Sequence, residues 1–189
     1  MDFYPNELFH FYNRGNNKNK IFFNIENYYY FLRKVRKYLL PYCEIFTYCL
    51  MPNHFHFLIY TKENLIKNTL NTSIGILLSS YTKAINIQEK RTGSLFQQDS
   101  KAKSLTQSGD EYYPFICFNY IHQNPMKAGL VKRMEDWEFS SFNDYLELKN
   151  STLVNKSLAI EFLDLPEDEK EFYEMSYKII DDDNIKDIF

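Results

Sequence analysis

The 189 residues amount to one domain with room for an appendage. A composition of 44% hydrophobic and 25% charged residues is that of a folded globular chain and excludes collagen-like, coiled-coil and wholly disordered classes. The net charge of −3 hides a division: residues 1–133 hold 17 Lys/Arg against 9 Asp/Glu, whereas residues 134–189 hold 5 against 16, so a basic body suited to a polyanion carries an acidic tail.

No apolar run approaches the roughly 18 residues of a membrane span, and the first residues lack a basic start followed by an apolar core, so neither a span nor a signal peptide is expected. Three cysteines, Cys43, Cys49 and Cys117, are an odd number without C-x-x-C spacing, which reads as a reduced, cytoplasmic protein. Aromatic residues reach 18%, including 16 Tyr and 17 Phe. Most of these rings belong to a core, and the surplus suits base stacking.

In chain order, residues 8–14 (LFHFYNR) read as a first strand, ended by the turn-prone Gly15-Asn16-Asn17. Asn24 can cap a helix over 25–40 that Pro41 ends, with Phe31, Val35, Tyr38 and Leu39 on one face. Residues 42–50 and 54–60 read as two strands joined by Met51-Pro52-Asn53, a hairpin. A helix over 63–88 follows, with Leu65, Thr69, Ile76, Leu77, Tyr81 and Ile85 on its face. Gly93 opens a short extended stretch. Asp110 can cap a helix over 111–124, which Pro125 is expected to end because the residue before proline avoids α geometry. Segments 156–164 and 167–180 read as helices, and the last residues as a frayed tail. Short strands interleaved with helices predict an α+β sandwich, helices packed on an antiparallel sheet.

His54-Phe55-His56 is the most informative tripeptide. On a strand, residues i and i+2 face the same way, so two imidazoles share one face while Phe55 and Phe57 point to the core. Such a pair can ligate one metal ion; the alternative is two surface histidines on an edge strand. Imidazole alone suits Zn, Cu, Fe or Ni, and no cysteine or carboxylate lies beside the pair, so the site would be open to substrate. On the helix over 111–124, Tyr120 and Asn124 are four residues apart and share a face if helicity persists to Asn124. A free phenol, with a pKa near 10, is a weak nucleophile, and a metal ion that withdraws charge from a phosphate would help it attack. Asn124 can offer an amide oxygen to that metal; otherwise it is a helix C-terminal residue.

The stretch FHFYNRGNNK, the hairpin CLMPNHFHFLI, then NYIHQNPMKAGLV and DWEFSSFNDY, together resemble the single-tyrosine HUH transposases, named for His, bulky hydrophobe, His. The similarity is closest to the REP-associated branch and spans about residues 8–145 in the order of that family. It implies a ferredoxin-like (RRM-like) fold over 1–145; beyond the resemblance, 146–189 reads from its charge and helical segments as an acidic C-terminal helical extension. It implies Mg2+ or Mn2+ on His54 and His56, with Asn124 as the third ligand and Tyr120 as the nucleophile. The implied reaction is cleavage and rejoining of single-stranded DNA, ending in hairpin-shaped repeats, through a 5′-phosphotyrosine intermediate. Arg14, Lys83, Arg91, Lys101, Lys103 and Lys127 are the candidate phosphate contacts, contributing affinity and salt dependence rather than sequence reading. A homodimer is compatible with the family, whose active sites form within or across subunits. The acidic tail is expected to cover the basic surface until DNA displaces it.

Two other classes compete. A domesticated DNA-binding protein would keep the fold and lose strand transfer; all four site positions are intact here. A two-histidine metalloenzyme acting on a small molecule would carry carboxylates near the pair, and the sequence has none within several residues of it.

Overall fold

A computed structural model describes residues 1–106, 112–149 and 151–178. The proposed cap Asp110 and the final residues 181–189 lie outside the described residues.

The first strand, β1 (Leu8–Arg14), leads into helix α1 (Ile25–Tyr38). The start of α1 is fixed by a reciprocal cap: Asn27 N donates to Asn24 Oδ1, and Asn27 Oδ1 accepts from Asn24 N. Strands β2 (Cys43–Met51) and β3 (His54–Thr61) form the expected hairpin. Helix α2 (Thr69–Gln88) begins six residues later than the sequence suggests. Residues 62–68 make turns instead, and Asn68 stands in the left-handed region (φ 67°), which a helix cannot include. Its buried stripe is Leu70, Ile74, Leu77, Tyr81 and Ile85, so the expected core residue Ile76 faces outward. Strand β4 is only Lys101–Ser104.

The strand order β2-β3-β1-β4, with every neighbour antiparallel and the elements running βαββαβ, is the ferredoxin-like arrangement that the resemblance implies. Both faces of the sheet are covered. Phe9, Phe11, Phe55 and Phe57 point to α1 and α2 and join Phe31, Val35, Leu77 and Tyr81 in one core. Their alternates, from Leu8 to Leu58, point the other way.

On that second face lies α3 (Tyr113–Lys127), followed by α4 (Phe142–Tyr145), α5 (Lys156–Leu163) and α6 (Glu169–Ser176). α3 does not stop at Pro125: the helix continues to Lys127, and Ala128 N donates to Asn124 O at 2.9 Å. The proline lacks an N–H and so forgoes one helical hydrogen bond, yet the helix runs through it, with Pro125 itself buried. A buried triad fastens α3 to β2, with His122 Nε2 2.6 Å from Thr47 Oγ1 and 2.9 Å from Ser141 Oγ.

The acidic segment is no loose cover over its described residues. Ala159, Leu163, Leu165 and Phe172 are buried with Phe118 and Phe142 in the second core. Gln123 Nε2 of α3 donates to the carbonyls of Ser176 and Lys178. No helix among the described residues is long and apolar enough to cross a membrane. The three cysteines are buried thiols.

Candidate active site

The hairpin turn places the first histidine. Asn53 holds the turn by donating from Nδ2 to Lys18 O, and its Oδ1 accepts the Nδ1 proton of His54 at 2.6 Å. Gly15 is required beside this turn: its N donates to Asn53 O at 2.7 Å, and a Cβ there would lie 2.0 Å from Asn19 O. His54 therefore keeps its lone pair on Nε2.

His56 follows on the same face of β3, its ring 5.0 Å from that of His54 and edge-on to it. α3 crosses this face and brings Tyr120 within 6.0 Å of His56, ring centre to ring centre, again edge-on. Because the helix persists through Pro125, Asn124 lies one turn beyond Tyr120. Its Nδ2 donates to Tyr120 O at 2.9 Å, and its amide interacts with both the Tyr120 phenol and the His54 ring. The four residues singled out in the sequence thus meet in one place, within one chain.

His54, His56 and Tyr120 open on a cavity of about 500 Å³ that Tyr12, Arg14, Asp99 and Lys101 also line, while Asn124 is buried behind Tyr120. Burial holds His54 down to about 4, with Arg14 adding to the effect and Asn124 opposing it. His56 is held well below the usual histidine value, by burial first and then by His10, His54 and Arg14. Both rings are therefore neutral at pH 7, the form that can bind a cation. Burial pushes Tyr120 up to about 12, while Asn124 and Arg14 draw it back. Left to itself the phenol stays protonated.

The lone pairs of two neutral imidazoles are available to a divalent cation. Among the described residues no three His, Cys, Asp or Glu side chains gather as a metal site. Two imidazoles on the cavity wall, with the Asn124 amide beside His54, are what the site offers instead. Asp99 lines the same cavity but does not form such a group with the pair.

No protein-family model matches the sequence, and no curated protein matches it. A solved structure does. The REP-associated tyrosine transposase bound to a REP hairpin superposes with a TM-score of 0.60 at 16% sequence identity, over 81% of this chain and 93% of that chain. The two chains share a fold.

The six candidate DNA contacts divide into groups. Arg14 and Lys101 line the cavity. Lys127 Nζ stands 5.7 Å from the Tyr120 ring centre. Lys103 lies on the same sheet face, where its Nζ donates to Tyr113 Oη at 2.9 Å. Lys83 and Arg91 line a separate groove of about 870 Å³ between α2 and residues 91–100; it meets the first cavity at Asn13, Gln97 and Asp99.

Sequence reasoning missed His10, fully buried on β1 with Nε2 2.9 Å from His56 Nδ1. The signal was present: in LFHFYNR the positions 8, 10 and 12 share a face, and a histidine between Leu8 and Tyr12 breaks an apolar row. It also missed Asp99, which sits in a segment without periodicity.

Proposed function

We propose that this protein is a metal-dependent DNA strand-cleaving and rejoining enzyme, a transposase in its chemistry, acting on single-stranded, hairpin-forming DNA. The observation that carries the proposal is the meeting of Tyr120, His54 and His56 in one cavity ringed by Arg14 and Lys101, with the buried Asn124 amide against Tyr120 and His54. The fold shared with a hairpin-bound tyrosine transposase supports it.

In this reading Tyr120 Oη attacks the scissile phosphorus. The bond from phosphorus to the 3′ oxygen breaks, the 5′ phosphate stays on Tyr120, and the strand ahead leaves with a 3′-hydroxyl. The proton lost by the phenol balances the one gained by that hydroxyl. A Mg2+ or Mn2+ held by His54, His56 and Asn124 would supply Lewis-acid polarisation of the phosphate. Arg14 and Lys101 neutralise phosphate charge at the cavity mouth, and Asn124 orients the phenol. Attack by another 3′-hydroxyl on the phosphotyrosine reverses the step and joins strands, so no nucleotide cofactor is consumed.

The test is a denaturation-resistant adduct between the protein and labelled single-stranded hairpin DNA from the ends flanking its gene, with Mg2+ or Mn2+. The adduct is expected in the wild type and absent in Tyr120→Phe. An adduct in both would move the nucleophile to another tyrosine. Tight binding without an adduct would favour a DNA-binding protein that has lost strand transfer.

A further inference from the structure

We propose that His10 is a positioning residue for the candidate metal site: its Nε2 accepts the Nδ1 proton of His56, and so leaves the Nε2 lone pair of His56 to the cation. The inference rests on the metal reading above and deepens it.

The geometry is specific. His10 on β1 stands opposite Leu58, one step diagonal from His56, which stands opposite Tyr12. Long or aromatic side chains reach across that diagonal. The two rings lie 5.1 Å apart and 18° from parallel, with His10 Nε2 2.9 Å from His56 Nδ1. Tyr12 stacks on both rings, 4.7 Å and 27° from His10 and 5.7 Å and 30° from His56. An imidazole with no exposed surface is costly to bury unless it is hydrogen-bonded, and an apolar side chain like that of Leu8 would fill the same row at no such cost. The ring contact therefore needs a reason beyond packing.

A neutral imidazole has one N–H and one lone pair, so the bond at Nδ1 decides what Nε2 presents. With the shared proton on His56 Nδ1, Nε2 of His56 is a ligand. With it on His10, His56 carries its own proton where the cation would sit, and the site is closed. His54 is already treated in the first way, its Nδ1 proton taken by Asn53 Oδ1. Ligating histidines characteristically hand the other ring N–H to a fixed acceptor, which sets tautomer and orientation. His10 supplies that acceptor from β1, as Asn53 does from the hairpin turn.

Mn2+ binding by the full chain, followed by the electron paramagnetic resonance of the free ion, tests this without DNA. His10→Phe keeps a ring and loses the acceptor; its Mn2+ affinity should fall about 10-fold or more. His10→Gln keeps an acceptor and should recover most of the loss. Nitrogen-15 spectra of the metal-free wild type should show His56 protonated on Nδ1. Equal affinity in wild type and His10→Phe, or a His56 proton on Nε2, overturns the proposal alone. A wild type with no measurable Mn2+ affinity overturns the metal reading and the proposal with it. Should His10→Phe fail to fold, the wild-type tautomer still decides.

Discussion

At the scale of single residues, the histidines set how the protein answers acid. His122 is buried with Thr47 and Ser141, and burial holds it down to about 3. The unfolded chain takes that proton below about 6.5 and the folded one only near 3. Its contribution is therefore intact above pH 6.5 and is lost as pH falls toward 3, amounting to about 2 kcal/mol by pH 5. His54, held down to about 4, pulls in the same direction. Denaturant unfolding at pH 7.5 and pH 5 should show this loss. His122→Gln, which keeps a polar group for Thr47 and Ser141, should lose about 2 kcal/mol less than the wild type over that interval. Equal losses in the two proteins would rule out His122 as the group responsible.

At the scale of elements, the acidic extension behaves as part of the core. Phe172 of α6 is 2% exposed, stacks on Tyr145 at 5.1 Å and meets Phe118 edge-on at 6.2 Å. Phe172→Ala should lower stability by about 3–5 kcal/mol in denaturant unfolding, as for a core ring, whereas a loose tail would show almost no change. How far each element was legible follows from how local its cause is. β1, β3 and the start of α1 were readable because alternation and the Asn24 cap are written within a few residues. The HFH face was readable for the same reason. The late start of α2 was not, because it depends on Asn68 adopting a left-handed conformation. Nor was the run of α3 through Pro125, because the local rule against α geometry before proline is overridden here in a helix packed against distant chain. Yet this long-range effect is what places Asn124 beside Tyr120. His10 sits between the two cases: its face was readable, its partner was not.

At the scale of the whole molecule, charge and edges govern what the protein can join. Arg14, Lys101 and Lys127 gather around Tyr120, so on the proposed function DNA affinity should fall steeply with salt. Lys101→Ala should reduce the slope of log affinity against log salt by about one while Tyr120→Phe leaves it unchanged; an unaltered slope in Lys101→Ala would remove that lysine from the phosphate path. The sheet's outer edges tell a separate story. β2 already has company: Leu50 N donates to Phe139 O, Ser141 N donates to Tyr48 O, and Cys49 bridges to Ser140. Over residues 48–50 that backbone is already paired and closed to a second copy. The opposite edge, β4, is four residues long and carries Lys101 and Lys103, so two such edges would bring like charges together. Pairing of a second copy is thus blocked along residues 48–50 of β2 and opposed by charge at β4. Helix faces, or on the proposed function a shared DNA strand, meet neither obstacle.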